Sequence, residues 1–340
     1  MAGSVTRQTI ENGKAPSLRT ALVLGATGGI GGETAAALLR HGWSVRALVR
    51  DPARASAARG ALAGVEWRHG DAMDRSGVME AARGAALVVH AVNPPGYRNW
   101  SGVVLPMIDN TIAAARAAGA RILLPGTIYN YGPDAYPLLA EDSPQHPVTR
   151  KGKIRVELER HLQAAGAEGV QTLVLRAGDF FGPRAGNNWF SQGLVKPGSP
   201  VRSVTYPGAS GVGHSWAYLP DVAETFARLA EYPSSHAFET FHFEGHWDAD
   251  GTAVIAAIRR AVGDPSLRVN ALPWPLLWLA APFNETMREL LEMKPLWTTS
   301  VRLDNHKLLR VLGTEPRTPL DEAVAATLRG LGALSPTTQS

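Results

Sequence analysis

Short apolar runs alternate with amphipathic stretches through the first half of the chain. Runs rich in Val, Leu and Ile without polar interruption are typical of strands buried on both faces of a parallel sheet. Predicted strands occupy residues 22–24, 43–49, 65–69, 87–91, 121–125 and 171–176, and the run at 87–91 is nearly continuous in apolar residues. Apolar residues at helical spacing follow them at 34–40, 104–118 and 149–165. This alternation predicts an α/β fold built on a doubly wound parallel sheet.

The pattern changes after Gly182. Residues 183–213 are rich in Gly, Pro, Asn and Ser and lack sustained periodicity, which predicts the start of a smaller, loop-rich lobe of mixed α/β structure. Helical spacing returns at 218–232 and 320–331, and residues 237–244 are predicted to form a late strand that rejoins the sheet. We therefore expect a flexible leader at 1–17, a sheet domain at 18–182 and a lobe at 183–335, with 218–244 returning to the sheet domain.

Three glycines separate the first predicted strand from the helix after it. Gly25, Gly28 and Gly31 have the spacing GxxGxxG. Without side chains they allow a tight turn, a close backbone approach to a pyrophosphate, and close packing of helix on strand. The helix N-terminus then presents N–H groups and a positive dipole to an anion. The rest of this loop is Ala26, Thr27, Gly29 and Ile30. It predicts a dinucleotide site in a Rossmann-type fold.

Composition excludes several function classes. The chain has 340 residues and no cysteine, which excludes disulfides, thiol nucleophiles and cysteine metal sites. Its formal net charge of +4 comes from dispersed residues without a basic run, so we expect no nucleic-acid partner. The leader lacks the apolar stretch of a signal peptide, which favours a cytoplasmic location. The apolar stretch 272–283 contains three prolines and is too short to span a membrane, so we expect a packed lid or a dimer face.

Several separated motifs share one resemblance. They are GATGGIG at 25–31, HGDAMD at 69–74, VVHAV at 88–92, PGTIYNYG at 125–132, EDSPQHP at 141–147, RAGDFFGP at 176–183 and HSWAYLPDVAE at 214–224. With them, residues 19–331 resemble the extended branch of the short-chain dehydrogenase/reductase superfamily, the NAD-dependent epimerase/dehydratase kind. The resemblance implies a Rossmann domain, a C-terminal substrate lobe and an NAD(P)-dependent oxidoreductase. It also implies a homodimer formed across the helices predicted at 104–118 and 149–165.

The catalytic pair of that superfamily is replaced in this chain. Its members use a Ser or Thr together with Tyr and Lys spaced YxxxK, and no YxxxK occurs here. Lys151 stands in the tyrosine position and Arg155 in the lysine position, on one helix face with Glu159 a turn further along. This series resembles the isoflavone-reductase-like and NmrA-like relatives, in which the lysine is the acid-base residue. The resemblance implies that Lys151 donates the proton; the alternatives are a solvated residue or a contact to ribose hydroxyls.

Two further hydroxyl groups come from the motif PGTIYNYG. Thr127 lies where the family's Ser or Thr polarises a carbonyl, and a hydroxyl donates a hydrogen bond there without bringing a charge. The alternative is a strand-end threonine bonded to the backbone. Tyr129 is the second candidate for proton donor, while Tyr131 packs structurally in this motif among relatives.

The end of the second predicted strand bears on the choice of cofactor. An NAD site usually has a carboxylate there for the ribose hydroxyls, whereas this chain has Arg50, which would pair with a 2′-phosphate. Asp51 follows and leaves NAD(H) open, but NADP(H) is preferred. By resemblance, Asp71 and Ala72 contact the adenine, and Ala91, Val92 and Asn93 line the channel near the nicotinamide ribose.

Large rings in the predicted loops favour an apolar or aromatic substrate. The candidate substrate residues are Trp100, Phe181, Trp189, Phe190, His214 and Trp216. His214 has no partners at ligand spacing, so we expect no metal. The sequence predicts an NADP(H)-dependent reductase that transfers hydride to a carbonyl or activated C=C bond of a hydrophobic small molecule. The alternatives are a nucleotide-sugar epimerase or dehydratase, and a non-catalytic NADP-sensing protein of the NmrA-like kind.

Overall fold

The computed structural model describes residues 19–57, 60–94, 99–184, 186 and 188–334. The predicted leader at 1–17 lies outside these residues. The described strands are β1 (Thr20–Leu24), β2 (Ser44–Val49), β3 (Val65–His69), β4 (Ala85–His90), β5 (Arg121–Thr127), β6 (Leu138–Leu139), β7 (Thr172–Ala177), β8 (Asp179–Phe181), β9 (Ser203–Tyr206), β10 (His214–Tyr218), β11 (Phe238–Phe243), β12 (His246–Asp248), β13 (Arg268–Ala271) and β14 (Arg302–Leu303).

The described α-helices are α1 (Gly29–Arg40), α2 (Pro52–Ala57), α3 (Arg75–Ala81), α4 (Trp100–Ala118), α5 (Arg150–Ala167), α6 (Leu219–Glu231), α7 (Ala253–Val262), α8 (Trp274–Ala280), α9 (Glu285–Glu292), α10 (Pro295–Thr298), α11 (His306–Leu312) and α12 (Leu320–Gly330). Short 3₁₀ turns lie at Ile128–Asn130 and Pro133–Ala135, and a π-helical turn lies at Phe190–Leu194.

A seven-stranded sheet carries the fold. Its order is β11-β7-β5-β4-β1-β2-β3, and every neighbouring pair is parallel. The order reverses between β1 and β4, which is where a doubly wound sheet opens a crevice at the carboxyl ends of its strands. The prediction of a doubly wound α/β fold is confirmed. The predicted late strand at 237–244 also rejoins the sheet, because β11 pairs with β7.

The central strands of this sheet are buried on both faces, as their apolar runs predicted. On one face Val23 and Leu173 pack with Phe226 of α6. On the other face Leu22 packs with Ile108 of α4 and Leu158 of α5. Each fully buried side chain of this size contributes about 1.5–3 kcal/mol, so the two faces together fix how α5 lies against the sheet.

The C-terminal lobe has its own core of aromatic and aliphatic side chains. Phe181, Phe190, Trp216 and Trp297 are almost completely buried there. Small sheets, β12-β10-β8, β13-β9 and β14-β6, surround this core. The lobe is therefore mixed α/β, as predicted.

The apolar stretch at 272–283 forms α8, and only one side of this helix packs inward. Leu277 is buried, whereas Leu276, Trp278, Leu279 and Phe283 are exposed. The expectation of a packed lid is therefore not met within the described chain, because the apolar residues surround the helix instead of forming one stripe. None of the described helices combines the length and apolar composition that crossing a membrane requires.

Candidate functional site

A cavity of about 220 Å³ opens at the carboxyl ends of the central strands, at the point where the strand order reverses. The described residues that line it are Gly28, Gly29, Ile30, His90, Ala91, Val92, Asn93, Trp100, Pro125, Gly126, Thr127, Ile128, Tyr129, Arg155, Ala177, Gly178, Asp179, Phe180, Gly186, Asn188, Trp189 and Leu219. The cavity therefore combines the loop predicted to bind a dinucleotide with side chains from both halves of the chain.

The glycine loop, residues 25–31, forms one wall of this cavity through its backbone. Gly25 has φ +88°, and a Cβ there would overlap the carbonyl group of Ala91. A Cβ on Gly31 would overlap the carbonyl group of Gly25. Gly28 precedes α1 without a side-chain cap, and no acidic residue lies in the first turn, so the N–H groups of that turn are left for an anion. These features fit a pyrophosphate; Ala26 is buried behind the loop.

A second recess adjoins the cavity on the outer side of the glycine loop. Gly25 and Thr27 line it together with Arg50, Asp71 and Ala72. Ala91, Val92 and Asn93 line both spaces, so the two are continuous along the edge of the sheet. The structure thus brings the predicted cofactor residues together into one groove, with Ala26 and Gly31 packed behind it.

The two acidic residues near the recess have different neighbours. Asp51 Oδ1 accepts a hydrogen bond of 3.0 Å from the backbone N–H of Arg54, at the start of α2. Asp71 Oδ1 accepts one of 2.9 Å from the backbone N–H of Met73. Only Asp71 lines the recess, while Arg50 is exposed at its edge. Asp51 therefore serves as a local cap, and Arg50 is the basic side chain exposed at the edge of the recess.

Thr127 and Tyr129 lie together in the cavity wall. Thr127 ends β5, and its Oγ1 accepts a hydrogen bond of 3.2 Å from the backbone N–H of Tyr129. The 3₁₀ turn at Ile128–Asn130 carries Tyr129 back toward the cavity. Accepting that bond leaves the threonine hydroxyl proton for another partner, as orienting an acceptor oxygen requires.

Lys151 does not line the cavity. The side chain is 2% exposed, and its Nζ donates to Glu289 and, at 2.7 Å, to Glu292, both on α9 of the lobe. The carboxylate of Glu289 is itself shared with Arg150. The structure therefore places the predicted proton donor in an ion-pair cluster between α5 and α9, and it is neither solvated nor beside the glycine loop.

Arg155, one turn further along α5, is the member of this face that reaches the cavity. Its Cζ lies 5.1 Å from the centre of the Trp100 ring, in the geometry of a cation–π contact. Both side chains are buried and line the cavity. His90, at the end of β4, lines it too; burial and then the charge of Arg155 lower the pKa of His90 to about 3, so its ring is neutral.

Glu159, one turn further along α5, belongs to a buried network of ion pairs and hydrogen bonds. Arg176 of β7 makes a two-point ion pair with Glu159, with the shorter contact at 2.6 Å. Arg176 also donates to the Tyr131 hydroxyl oxygen at 2.6 Å, and that hydroxyl lies 2.8 Å from His242 Nε2 of β11. Burial and then the neighbouring Arg176 lower the pKa of His242 to about 3. Tyr131 is thus fixed in the core, in agreement with its expected structural role.

Sequence reasoning did not single out one charged residue of the cavity, Asp179. It begins β8, two residues past the end of β7, and its Oδ2 lies 2.9 Å from His214 Nε2. The ring of His214 stacks on Trp297 with centroids 3.8 Å apart. The signal was available in the motif RAGDFFGP, because a carboxylate just past a parallel strand lies at the ligand edge of the sheet.

The predicted aromatic substrate residues divide into two groups. Trp100 and Trp189 line the cavity. Phe181, Phe190 and Trp216 are fully buried in the lobe core, where the Phe181 and Phe190 rings stack with centroids 5.6 Å apart. They do not line the cavity, and neither does His214, which contacts it through Asp179. Packing of the lobe accounts for these rings.

Comparisons with known proteins agree with this arrangement. Residues 25–178 match a family described as NAD(P)H-binding. Among solved structures, UDP-glucose 4-epimerase from Bifidobacterium longum, in complex with NAD+ and UDP, superposes with a TM-score of 0.72 at 16% identity, over 92% of this chain and 97% of that chain. MoeE5 in complex with UDP-glucose and NAD superposes with a TM-score of 0.70 at 19% identity, over 92% and 98%. The chain therefore shares the fold of these two structures.

One curated relative gives a further comparison. The 3-diazoavenalumate denitrifying reductase of Streptomyces sp is 33% identical over 183 residues, which cover 48% of this chain. The match spans 57% of that relative's length. The region that matches the NAD(P)H-binding family therefore includes the glycine loop, Thr127, Tyr129 and all of α5.

Proposed function

We propose that the protein is an NADP(H)-dependent reductase that transfers hydride to a carbonyl or activated C=C bond of a hydrophobic small molecule. The observation that carries the proposal is that Thr127 and Tyr129 share one largely apolar cavity with the glycine loop. The curated relative is named a reductase, which supports the same class of reaction. A small cavity with few polar groups is the usual form of a site for such a substrate.

The groove beside the glycine loop fits the cofactor. The N–H groups of Gly29 and Ile30, in the first turn of α1, would bind the pyrophosphate. Asp71 and Ala72 would contact the adenine end, and Arg50 would pair with a 2′-phosphate. When bound, the reduced nicotinamide supplies the hydride, and the protein supplies orientation and electrostatics.

We assign the proton to Tyr129 and the orientation of the acceptor to Thr127. Tyr129 lines the cavity, whereas the ammonium of Lys151 is bound by two carboxylates of α9 and does not line it. A general acid must lie within hydrogen-bond reach of the atom that it protonates. Thr127 precedes Tyr129 by two positions, and its Oγ1 accepts a hydrogen bond from the Tyr129 backbone N–H. Its hydroxyl would donate to the substrate's acceptor oxygen without adding a charge.

Arg155 and Trp100 would enclose the cavity beside the nicotinamide. The guanidinium occupies the position of the superfamily's lysine and is kept over the indole ring. A ring contact of this kind holds the charge in place in a site that excludes water. We therefore assign Arg155 to the ribose of the cofactor instead of to proton transfer.

A nucleotide-sugar epimerase is the second candidate. The fold likeness to the UDP-glucose 4-epimerase favours it. The absence of a tyrosine at position 151 and the small number of cations in the cavity weigh against it, because a diphosphate site normally presents arginines. UDP-glucose is therefore included in the substrate test.

The test is NADPH oxidation with aromatic aldehydes, ketones, enones and UDP-glucose as substrates. We expect turnover of one of the hydrophobic substrates, and a fall of about a hundredfold or more in kcat for Tyr129→Phe. Tyr136→Phe is the matched control, because the Tyr136 hydroxyl donates to the Tyr131 carbonyl oxygen and Tyr136 does not line the cavity. Full activity of Tyr129→Phe would contradict the assignment of the proton, and NADPH binding without any turnover would contradict the reductase.

A further inference from the structure

The charges in the cavity wall are few and separated. Of the described residues that line it, Arg155 and Asp179 are the only ones with a formal charge at neutral pH, since His90 is neutral. Arg155 lies on α5 over the Trp100 ring, and Asp179 lies on β8 at the lobe. The cavity thus has a positive group and a negative group on different elements.

The carboxylate of Asp179 is oriented by the lobe core. His214 Nε2 lies 2.9 Å from Oδ2, and the histidine ring is fixed between Trp216 and the stacked Trp297. Within the described part of the chain, no other side chain forms an ion pair or hydrogen bond with this carboxylate. Among the described residues Asp179 has no lysine or arginine partner, so Oδ1 is left for a ligand in the cavity.

The backbone around Asp179 is built to bring it to this place. A Cβ on Gly178 would overlap the carbonyl group of Ser215, so β8 can pass this close to β10 only with glycine before Asp179. Trp216 pairs with Asp179 in the parallel register of the two strands. The position of the carboxylate follows from the strands and does not depend on a surface loop.

A half-buried carboxylate with one oxygen already bonded, such as that of Asp179, disfavours anions and favours cations or N–H donors at the other oxygen. A diphosphate or a carboxylate group of a substrate would meet like charge here, whereas an amidinium, protonated amine or iminium group would meet a fixed counter-ion. The aromatic wall formed by Trp100, Phe180 and Trp189 adds contacts that suit an organic cation.

We propose that Asp179, positioned by His214, is a substrate-specificity site that binds a positively charged nitrogen group of a compact aromatic substrate. The inference rests on the proposed function, because it names the class of substrate for the same cavity. It assigns Asp179 to contact with the substrate, and it makes His214 a positioning residue that acts through Asp179.

The experiment uses three ligands of nearly equal shape and different charge: benzamidine, benzamide and benzoate. Their affinities for the full-length protein saturated with NADP+ are measured by calorimetry. We expect benzamidine to bind about tenfold or more tightly than benzamide, and benzoate to bind least. Asp179→Asn should remove most of this preference, and His214→Phe, which keeps a ring on Trp297, should lower benzamidine affinity by a smaller factor.

Asp250→Asn is the matched control, because Asp250 is an exposed turn residue that bonds to Thr252 outside the cavity. Affinity for NADP+ checks that each variant folds, and the wild-type comparison of the three ligands requires no variant. Equal affinities for benzamidine and benzamide in the wild type would overturn the inference, as would an unchanged preference in Asp179→Asn. A preference for benzamidine in a protein that does not oxidise NADPH would support the inference. It would contradict only the proposed reductase activity.

Discussion

The glycine-loop wall of the cavity is made of backbone, whereas the opposite wall is made of side chains from distant segments. Gly25, Gly28 and Gly31 lie within seven residues and shape their wall by having no Cβ. On the other side, Arg155 comes from α5 and Asp179 from β8. The first wall depends on local geometry, and the second depends on contacts that only the folded chain assembles.

This difference predicts where each wall is sensitive. A change in the glycine loop should affect binding of the cofactor, because the helix terminus and the turn are one unit. A change in the ion pairs of α5 should affect stability, because those buried charges join α5 to strand β7 through Glu159 and to α9 of the lobe through Lys151. Four substitutions test the comparison, beginning with the largest expected effect.

Glu159→Gln breaks the ion pair between α5 and Arg176 of strand β7. Glu159 lies on the same face of α5 as Lys151 and Arg155. Glu159 and Arg176 are buried and bonded at two points, so the change leaves the Arg176 charge without its counter-ion. We expect the free energy of unfolding to fall by about 3–5 kcal/mol, measured by urea denaturation.

Its control is Glu157→Gln on the same helix. The Glu157 side chain is 44% exposed and pairs with Arg160 at 3.2 Å, so its loss should cost less than about 1 kcal/mol. Equal losses of unfolding free energy in the two variants would mean that the Glu159–Arg176 pair does not stabilise the side-chain wall. The contrast between the two walls would then be wrong for that wall.

Gly31→Ala tests the backbone wall. The new Cβ would overlap the carbonyl of Gly25, and a rigid backbone atom cannot move aside as a side chain can. We expect affinity for NADPH to fall by about a hundredfold or more, measured by calorimetry. Gly64→Ala is the control, because its Cβ would meet only the flexible side chain of Leu39 at 3.2 Å. Unchanged NADPH affinity in Gly31→Ala would contradict the proposal that the glycine loop binds the cofactor.

The same comparison explains how much could be predicted from the sequence. The sheet, its late strand β11 and the glycine loop followed from periodicity and from a motif in which every residue is local. The cofactor groove followed as well, because the ends of parallel strands meet at one edge of the sheet. The side-chain wall followed only in part. Arg155, Trp100 and Trp189 line the cavity, whereas Asp179 was missed because it reaches the cavity only through tertiary contacts.

Lys151 shows why the rest could not be read from spacing. Its place on α5 suggested a proton donor, but Glu289 and Glu292 bind its ammonium, and they lie about 140 positions later in the chain. Helix spacing predicts which residues share a face and does not predict which distant element covers that face. Phe181, Phe190 and Trp216 illustrate the same point, because an aromatic residue in a loop-rich segment can serve the core of the lobe.

Lys151→Met tests whether the cluster between α5 and α9 stabilises the lobe. Burial alone would raise the pKa of Glu292, but the hydrogen bonds and charge of Lys151 outweigh it and lower that pKa below its ordinary value. A lowered pKa in the folded state adds stability above the ordinary glutamate pKa, and this stability is lost as pH falls through the folded-state value. We expect a loss of about 2 kcal/mol at neutral pH.

The pH dependence separates this account from simple loss of packing. The melting temperature of the wild type should fall between about pH 5 and pH 3 more steeply than that of Lys151→Met, because the variant has already lost the contribution of Glu292. Lys153→Met on the neighbouring turn is the control and should leave the profile unchanged. Parallel profiles for the wild type and Lys151→Met would show that the ion pairs add no stability.

Arg50→Ala has the smallest expected effect. It tests whether a side chain beside the glycine loop contributes to the choice between NADPH and NADH. Arg50 is exposed at the edge of the recess, so its pairing with a 2′-phosphate is partly screened by solvent. We expect about a tenfold loss of affinity for NADPH and no change for NADH, because only the former carries that phosphate. Arg54→Ala, on α2 outside the recess, should change neither affinity. Equal losses for both cofactors would mean that Arg50 supports the wall instead of reading the phosphate, and cofactor choice would then have to come from the backbone alone.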